Sequence, residues 1–172
     1  MSRPIRISIR SWAAASVVTL LSLLASCADI RIVSDYDEET AKSLTSLEQT
    51  TEDFIVALEK VVGTPDGAFD KHAAFYDGVD RDLRRLEFRV NAIPKNNHTQ
   101  MLVKDIRAAI LGAGACDETG TSLRDLHCLP ASRARGPSKT ALELSRRNVN
   151  QTISAALSLE LAKKQGLEHN DQ

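Results

Sequence analysis

Cys116 and Cys128, with His127 directly before the second, form the densest group of reactive side chains in this sequence. Two chemistries suit them. Oxidation of the two thiols would close a loop of about a dozen residues and stabilise the fold by roughly 3 kcal/mol in the chain-entropy model. Alternatively, both thiolates and His127 would supply three zinc ligands. A structural zinc site takes four, and no fourth Cys or His lies nearby. The other histidines, His72, His98 and His169, are scattered, with no His–His spacing that suits a metal on a helix. Asp77, Asp80 and Asp82 crowd one stretch, but arginines alternate with them. A calcium loop needs a glycine turn and a final glutamate, so ion pairs on a helix surface are the better reading. No glycine-rich phosphate loop follows a strand pattern. The sequence therefore predicts no metal, no cofactor and no catalytic residue.

The third thiol, Cys27, lies where the chain changes character. Arg3, Arg6 and Arg10 make a positive N-terminal region, and residues 13–25 make an apolar core containing Val17, Val18, Leu20, Leu21, Leu23 and Leu24. That core falls short of the roughly 20 residues that span a bilayer as a helix. Small residues close it, the pattern of a secretory signal. Leu24-Ala25-Ser26-Cys27 resembles the lipobox of bacterial lipoproteins. The resemblance implies removal of residues 1–26, lipid on the Cys27 sulfur and a stable anchor of several acyl chains. Ala28 follows the cysteine, which by the same resemblance favours the outer membrane, facing the periplasm. An oxidising compartment in turn favours a Cys116–Cys128 disulfide over a metal site.

Loss of the signal would leave about 146 residues, enough for one domain, with a formal charge near −4. So mild a balance implies no nucleic-acid partner. Its distribution is uneven: residues 34–70 carry a net −8 and residues 121–147 a net +4. One reading sets an acidic first helix beside a basic last one. The other makes Arg124, Arg133 and Arg135 an exposed patch for an anionic partner.

Aromatic residues make up only 4% of the chain, so the core must be built largely from aliphatic side chains. Residues 28–36 read as a tether. Asp37 can cap a first helix, in which Leu44, Leu47, Thr51, Phe54, Leu58 and Val61 recur at steps of three and four. Gly63-Thr64-Pro65-Asp66-Gly67 ends it. A second helix, Phe69 to Ile93, carries Tyr76, Val79, Leu83, Leu86, Val90 and Ile93 as a regular seam. A third follows Asn96-Asn97, with Leu102, Ile106, Ile110 and Ala113. Residues 115–136 read as a long loop with one helical turn near Leu123-Arg124-Asp125-Leu126. A last helix from Gly136-Pro137-Ser138 to Lys164 buries Leu142, Ser145, Val149, Ile153, Ala156 and Leu157. Lys163 and Lys164 suit its negative end. Gly166 stops it, leaving residues 166–172 disordered.

The expected architecture is all-α: an up-down-up-down bundle of about four helices over residues 37–165. Asp35-Tyr36-Asp37, Ile93-Pro94-Lys95-Asn96 and Leu159-Glu160-Leu161-Ala162-Lys163-Lys164 resemble strings in small bacterial lipoproteins with a helical domain. That resemblance implies no activity. The expected function is a non-enzymatic interaction or structural module. It would be held to membrane lipid through Cys27 and would meet a cell-envelope protein or an anionic surface. The alternative is a helical bundle that binds a small apolar ligand.

Overall fold

Asp37 starts the first helix as the sequence predicts, its carboxylate accepting a hydrogen bond from the Thr40 N–H at 2.9 Å. The computed structural model describes residues 33–114, 116 and 119–170; the signal segment and Cys27 lie outside the described residues. Helix α1 runs Glu38–Val61, a 3-10 turn Pro65–Gly67, α2 Phe69–Ala92, α3 Asn97–Leu111, α4 Leu123–Cys128 and α5 Lys139–Asn170. No strand occurs among the described residues.

The four long helices form an up-down-up-down bundle. α1 packs on α2, α2 on α3, α3 on α5 and α5 on α1. The pairing of distant residues fixes the directions. Glu52 meets Arg146 while Asp37 meets Glu160, so α1 and α5 run antiparallel. Arg107 reaches Glu87 while Gln100 reaches the Val90 carbonyl, so α2 and α3 do too. At 1.5 Å per residue α1 and α2 are each about 36 Å long. The ring of helices therefore has two well-separated ends. The start of α1, the α2–α3 turn and the last third of α5 meet at one end. The α1–α2 turn, α4 and the segment before α5 meet at the other.

The predicted seam of α2 is buried from Tyr76 to Val90, with Tyr76, Val79, Leu83, Leu86 and Val90 all at most 3% exposed; Ile93, its expected last member, caps the helix just past Ala92 in extended backbone and is only half-buried. The buried members meet Leu44, Ile55 and Leu58 of α1, Val103, Ile106 and Ile110 of α3, and Leu142, Val149 and Ile153 of α5. Burying one such side chain contributes about 1.5–3 kcal/mol. The stripe of α3 is turned slightly from the expected one. Thr99 and Val103 are buried, Leu102 is half-buried, and Ala113 lies exposed beyond the helix end.

Three boundaries differ from expectation. The last helix continues through Gly166 to Asn170. One glycine costs a helix interior only about 1 kcal/mol, and Gln165, Leu167 and Glu168 around it are adequate helix formers. The single turn expected near Leu123 is a six-residue helix, capped by Ser122, whose hydroxyl accepts from the Asp125 N–H at 3.0 Å. The tether does not leave the bundle at Asp37, because Ser34 is already buried. Among the described residues no helix is long and apolar enough to cross a membrane.

Candidate functional site

The two ends of the bundle hold its chemistry-bearing residues. At the end opposite the start of α1, a turn and a loop lock together through backbone. The Gly63 N–H donates to the Arg135 carbonyl at 2.7 Å and the Phe69 N–H to the Arg133 carbonyl at 2.8 Å. Gly67 makes this possible, since a Cβ there would sit 2.7 Å from the Arg135 carbonyl oxygen. The segment carrying Arg133 and Arg135 is therefore strapped across the α1–α2 turn rather than loose.

Beneath it lies most of the described aromatic content. Phe54 stacks on Phe75 with ring centres 3.6 Å apart, and Phe69 stacks on Tyr76 at 5.5 Å. His127, fully buried, stands among these rings. Its Nε2 lies 2.9 Å from the Gly67 carbonyl and its Nδ1 2.9 Å from the Tyr76 hydroxyl. A carbonyl only accepts, so Nε2 carries the proton, and neutral Nδ1 accepts from Tyr76. Burial is the main reason the imidazole pKa is held below its ordinary value; the bond to Gly67 partly opposes it and His72 adds to it. Burial likewise pushes the Tyr76 phenol well above its usual range, against the pull of the Arg124 charge. With both ring nitrogens taken, His127 is a core residue rather than a metal ligand. Cys116 and Cys128 form the disulfide, their Cα atoms 5.6 Å apart, and it fastens the end of α4.

The three predicted partner-binding arginines do not share one surface role. Arg135 is exposed. Arg133 donates to Asp70 at 2.6 Å and its guanidinium lies 5.4 Å from the Phe69 ring centre, so its charge is partly offset. Arg124 turns inward: its Nε and Nη2 are covered and lack a hydrogen-bond partner among the described residues. It sits on α4, beside the core, in the helical turn that the sequence predicts near Leu123. Arg146 pairs with Glu52 and lies near Glu59, so the acidic first helix and basic last helix do offset each other there. Asp80 and Asp82 pair with Arg84, Arg85 and Arg107, as the alternation implies.

The opposite end contains a buried polar cluster that sequence reading missed. Glu160 is fully buried, and the Lys163 ammonium donates to its Oε1 at 2.6 Å. Lys163 also donates to Asn96 Oδ1 and to Thr99 Oγ1, each at 2.8 Å. Thr99 donates to Glu160 at 2.7 Å. Beside this cluster Arg89 grips Asp37 with two bonds of 2.6 Å. That fork is the main reason the Asp37 carboxyl is held well below the usual carboxylate range. Lys163 is thus an interior ion-pair partner, rather than a solvated complement to the helix end. The signal was present in the sequence: Glu160 and Lys163 continue the Ile153, Ala156 stripe at steps of four and three.

Among the described residues no three His, Cys, Asp or Glu side chains converge as a metal site would require. A cleft of about 520 Å³ lies between α1 and α5, open along one side and lined by Tyr36, Ala41, Lys42, Leu157 and Leu161 among others. No family model, curated protein or solved structure matches this chain.

Proposed function

We propose that this chain is a cell-envelope lipoprotein, anchored by lipid on Cys27, whose bundle is a non-enzymatic spacer and docking module. The observation that carries the reading is the opposition of the two ends. Ser34, near the start of the described chain, is held at one end. The basic segment with Arg133 and Arg135 is held at the other, about 36 Å away along α1. Such a rod would stand one end at the leaflet and present the other to a partner with anionic character, in the periplasm and by resemblance on the outer membrane. The polar groups of both buried clusters are largely consumed by one another, which suits a scaffold better than a catalyst. A bundle that holds a small apolar ligand has less support. The interior between the helices is filled by side chains such as Leu44, Ile106 and Ile153, and the α1–α5 cleft is open-sided.

Two measurements test this. Fatty-acid labelling should be lost in Cys27→Ser; retained labelling would refute the anchor. A photo-crosslinker at exposed Ala134, between the two arginines, in intact cells should give adducts that weaken with salt, because exposed charges are screened beyond about 8 Å at physiological ionic strength. A crosslinker at exposed Leu144, on the side of the rod, is the comparison. Reversal of both Arg133 and Arg135 to Glu should remove the adducts without unfolding the domain. Equal yields at 134 and 144, or adducts indifferent to reversal, would sink the docking role.

A further inference from the structure

Residues 33–36, just before α1, do not simply pass the bundle; they are fastened to it. The Ser34 N–H donates to the Lys95 carbonyl at 3.2 Å, and the Ser34 hydroxyl to Asn96 Oδ1 at 2.9 Å. Lys95 has φ near 60°, a left-handed conformation that few side chains adopt, and it shapes the α2–α3 turn that holds Ser34. Tyr36 lies under the Lys164 ammonium, 5.8 Å from its ring centre. Apolar burial adds little to this hold: Val33 is 38% exposed and Tyr36 only half-buried.

The seat, in contrast, is complete without the strap. Lys163 keeps Glu160, Asn96 and Thr99 as acceptors whether or not Ser34 is present. Asp37 keeps Arg89 and its capping bonds to Thr40. Detaching residues 33–36 would expose little apolar surface and strand no buried charge among them, and segments held mainly by polar contacts rather than apolar burial occupy the low end of local stability.

We infer that residues 33–36 are a releasable strap that sets where the membrane tether pulls on the bundle. This rests on the reading that Cys27 carries the anchor. Engaged, the tether leaves from the α2–α3 turn, and the roughly seven residues from Cys27 to Ser34 limit its reach to about 25 Å. Released, it leaves from the start of α1, and the reach to Asp37 grows to about 36 Å. The strap thus toggles both stand-off and tilt of the rod.

The test uses the full lipidated protein on a supported bilayer, with Ser34→Pro as the released form. Proline removes both the N–H and the hydroxyl that hold the strap and leaves the seat untouched. In the wild type, amide exchange at Ser34 should be at least about tenfold slower than in an open chain and about a hundredfold or more faster than at Leu44 and Leu58. Neutron reflectometry should show the protein layer of Ser34→Pro shifted outward by up to about 10 Å, or broadened, with an unchanged helical spectrum. Ser34 exchange as slow as the core, or as fast as an open chain, overturns the inference, as does an identical layer for both proteins. Failure of the wild type to stay on the bilayer would instead refute the lipid anchor, while the Ser34 exchange rates would still decide whether the strap opens.

Discussion

The two ends of this bundle are held by different physics. Where the chain enters, the contacts are directional and charged: Glu160 with Lys163, Asp37 with Arg89, Ser34 with Asn96. At the far end stacked rings, a disulfide and backbone hydrogen bonds join the α1–α2 turn to the segment before α5. Glu160 and Lys163 are buried, but the contacts around them at the rim, Asp37 with Arg89 and the segment at Ser34 between exposed neighbours, lie near water and can open one at a time. Rings and a covalent link resist piecemeal opening. The contrast teaches that one end is built to yield locally and the other to keep its shape.

The largest effect should come from the buried ion pair. Glu160→Ala removes the anion beside Lys163 and should cost about 3–5 kcal/mol in denaturant unfolding. Replacing the pair together, Glu160→Leu with Lys163→Met, should recover much of that loss, because an apolar pair of similar volume carries no desolvation penalty. A loss below about 1 kcal/mol for the single change would mean that water reaches the pair. Next in size is the disulfide. Cys116→Ser with Cys128→Ser should cost about 3 kcal/mol and speed amide exchange in α4 while leaving Ser34 unchanged. Equal acceleration at both ends would erase the distinction between them.

Much of the fold was legible because it depends on local spacing. The steps from Tyr76 to Val90 alone place α2 and its buried face, and Asp37 with Glu38 and Glu39 marks the start of α1. The disulfide was legible from two thiols in a chain whose N-terminal pattern reads as an export signal. The pairing of His127 with Tyr76 was not, because 51 residues separate them and only the closed bundle brings them together. The basic patch was legible as charge but not as direction: nothing in the sequence turns Arg124 inward and leaves Arg135 outside. Glu160 and Lys163 lay on the stripe pattern, yet charged residues near a helix end read more simply as solvated. Gly166 misled because glycine weakens a helix without obliging it to stop.

Smaller effects probe the rigid end. Tyr76→Phe keeps the ring but leaves Nδ1 of buried His127 without its donor. It should cost about 1–2 kcal/mol in thermal or denaturant unfolding. A neutral result would show that Nδ1 finds another donor and that the ring stack alone carries this end.

The smallest effect, and the sharpest test of that end, is its response to acid. His127 is neutral in the fold, donating from Nε2 to Gly67 and accepting at Nδ1 from Tyr76. Burial holds its pKa below the ordinary 6.5, so the unfolded chain takes up a proton before the folded one does. By linkage the fold has its full His127 contribution above about pH 6.5 and loses it as pH falls from there toward the depressed value. The Asp37–Arg89 pair acts in a separate window. Its carboxylate is held low, so that contribution is intact above about pH 4 and fades only below it. Melting curves should therefore decline as pH drops from 7 to 5, and His127→Gln should flatten that segment while leaving the decline below pH 4. A flat wild-type profile between pH 7 and 5 would mean that the imidazole is hydrated and the ring cluster open. A slope that survives in His127→Gln would assign the acid response to another group and leave the aromatic end indifferent to pH.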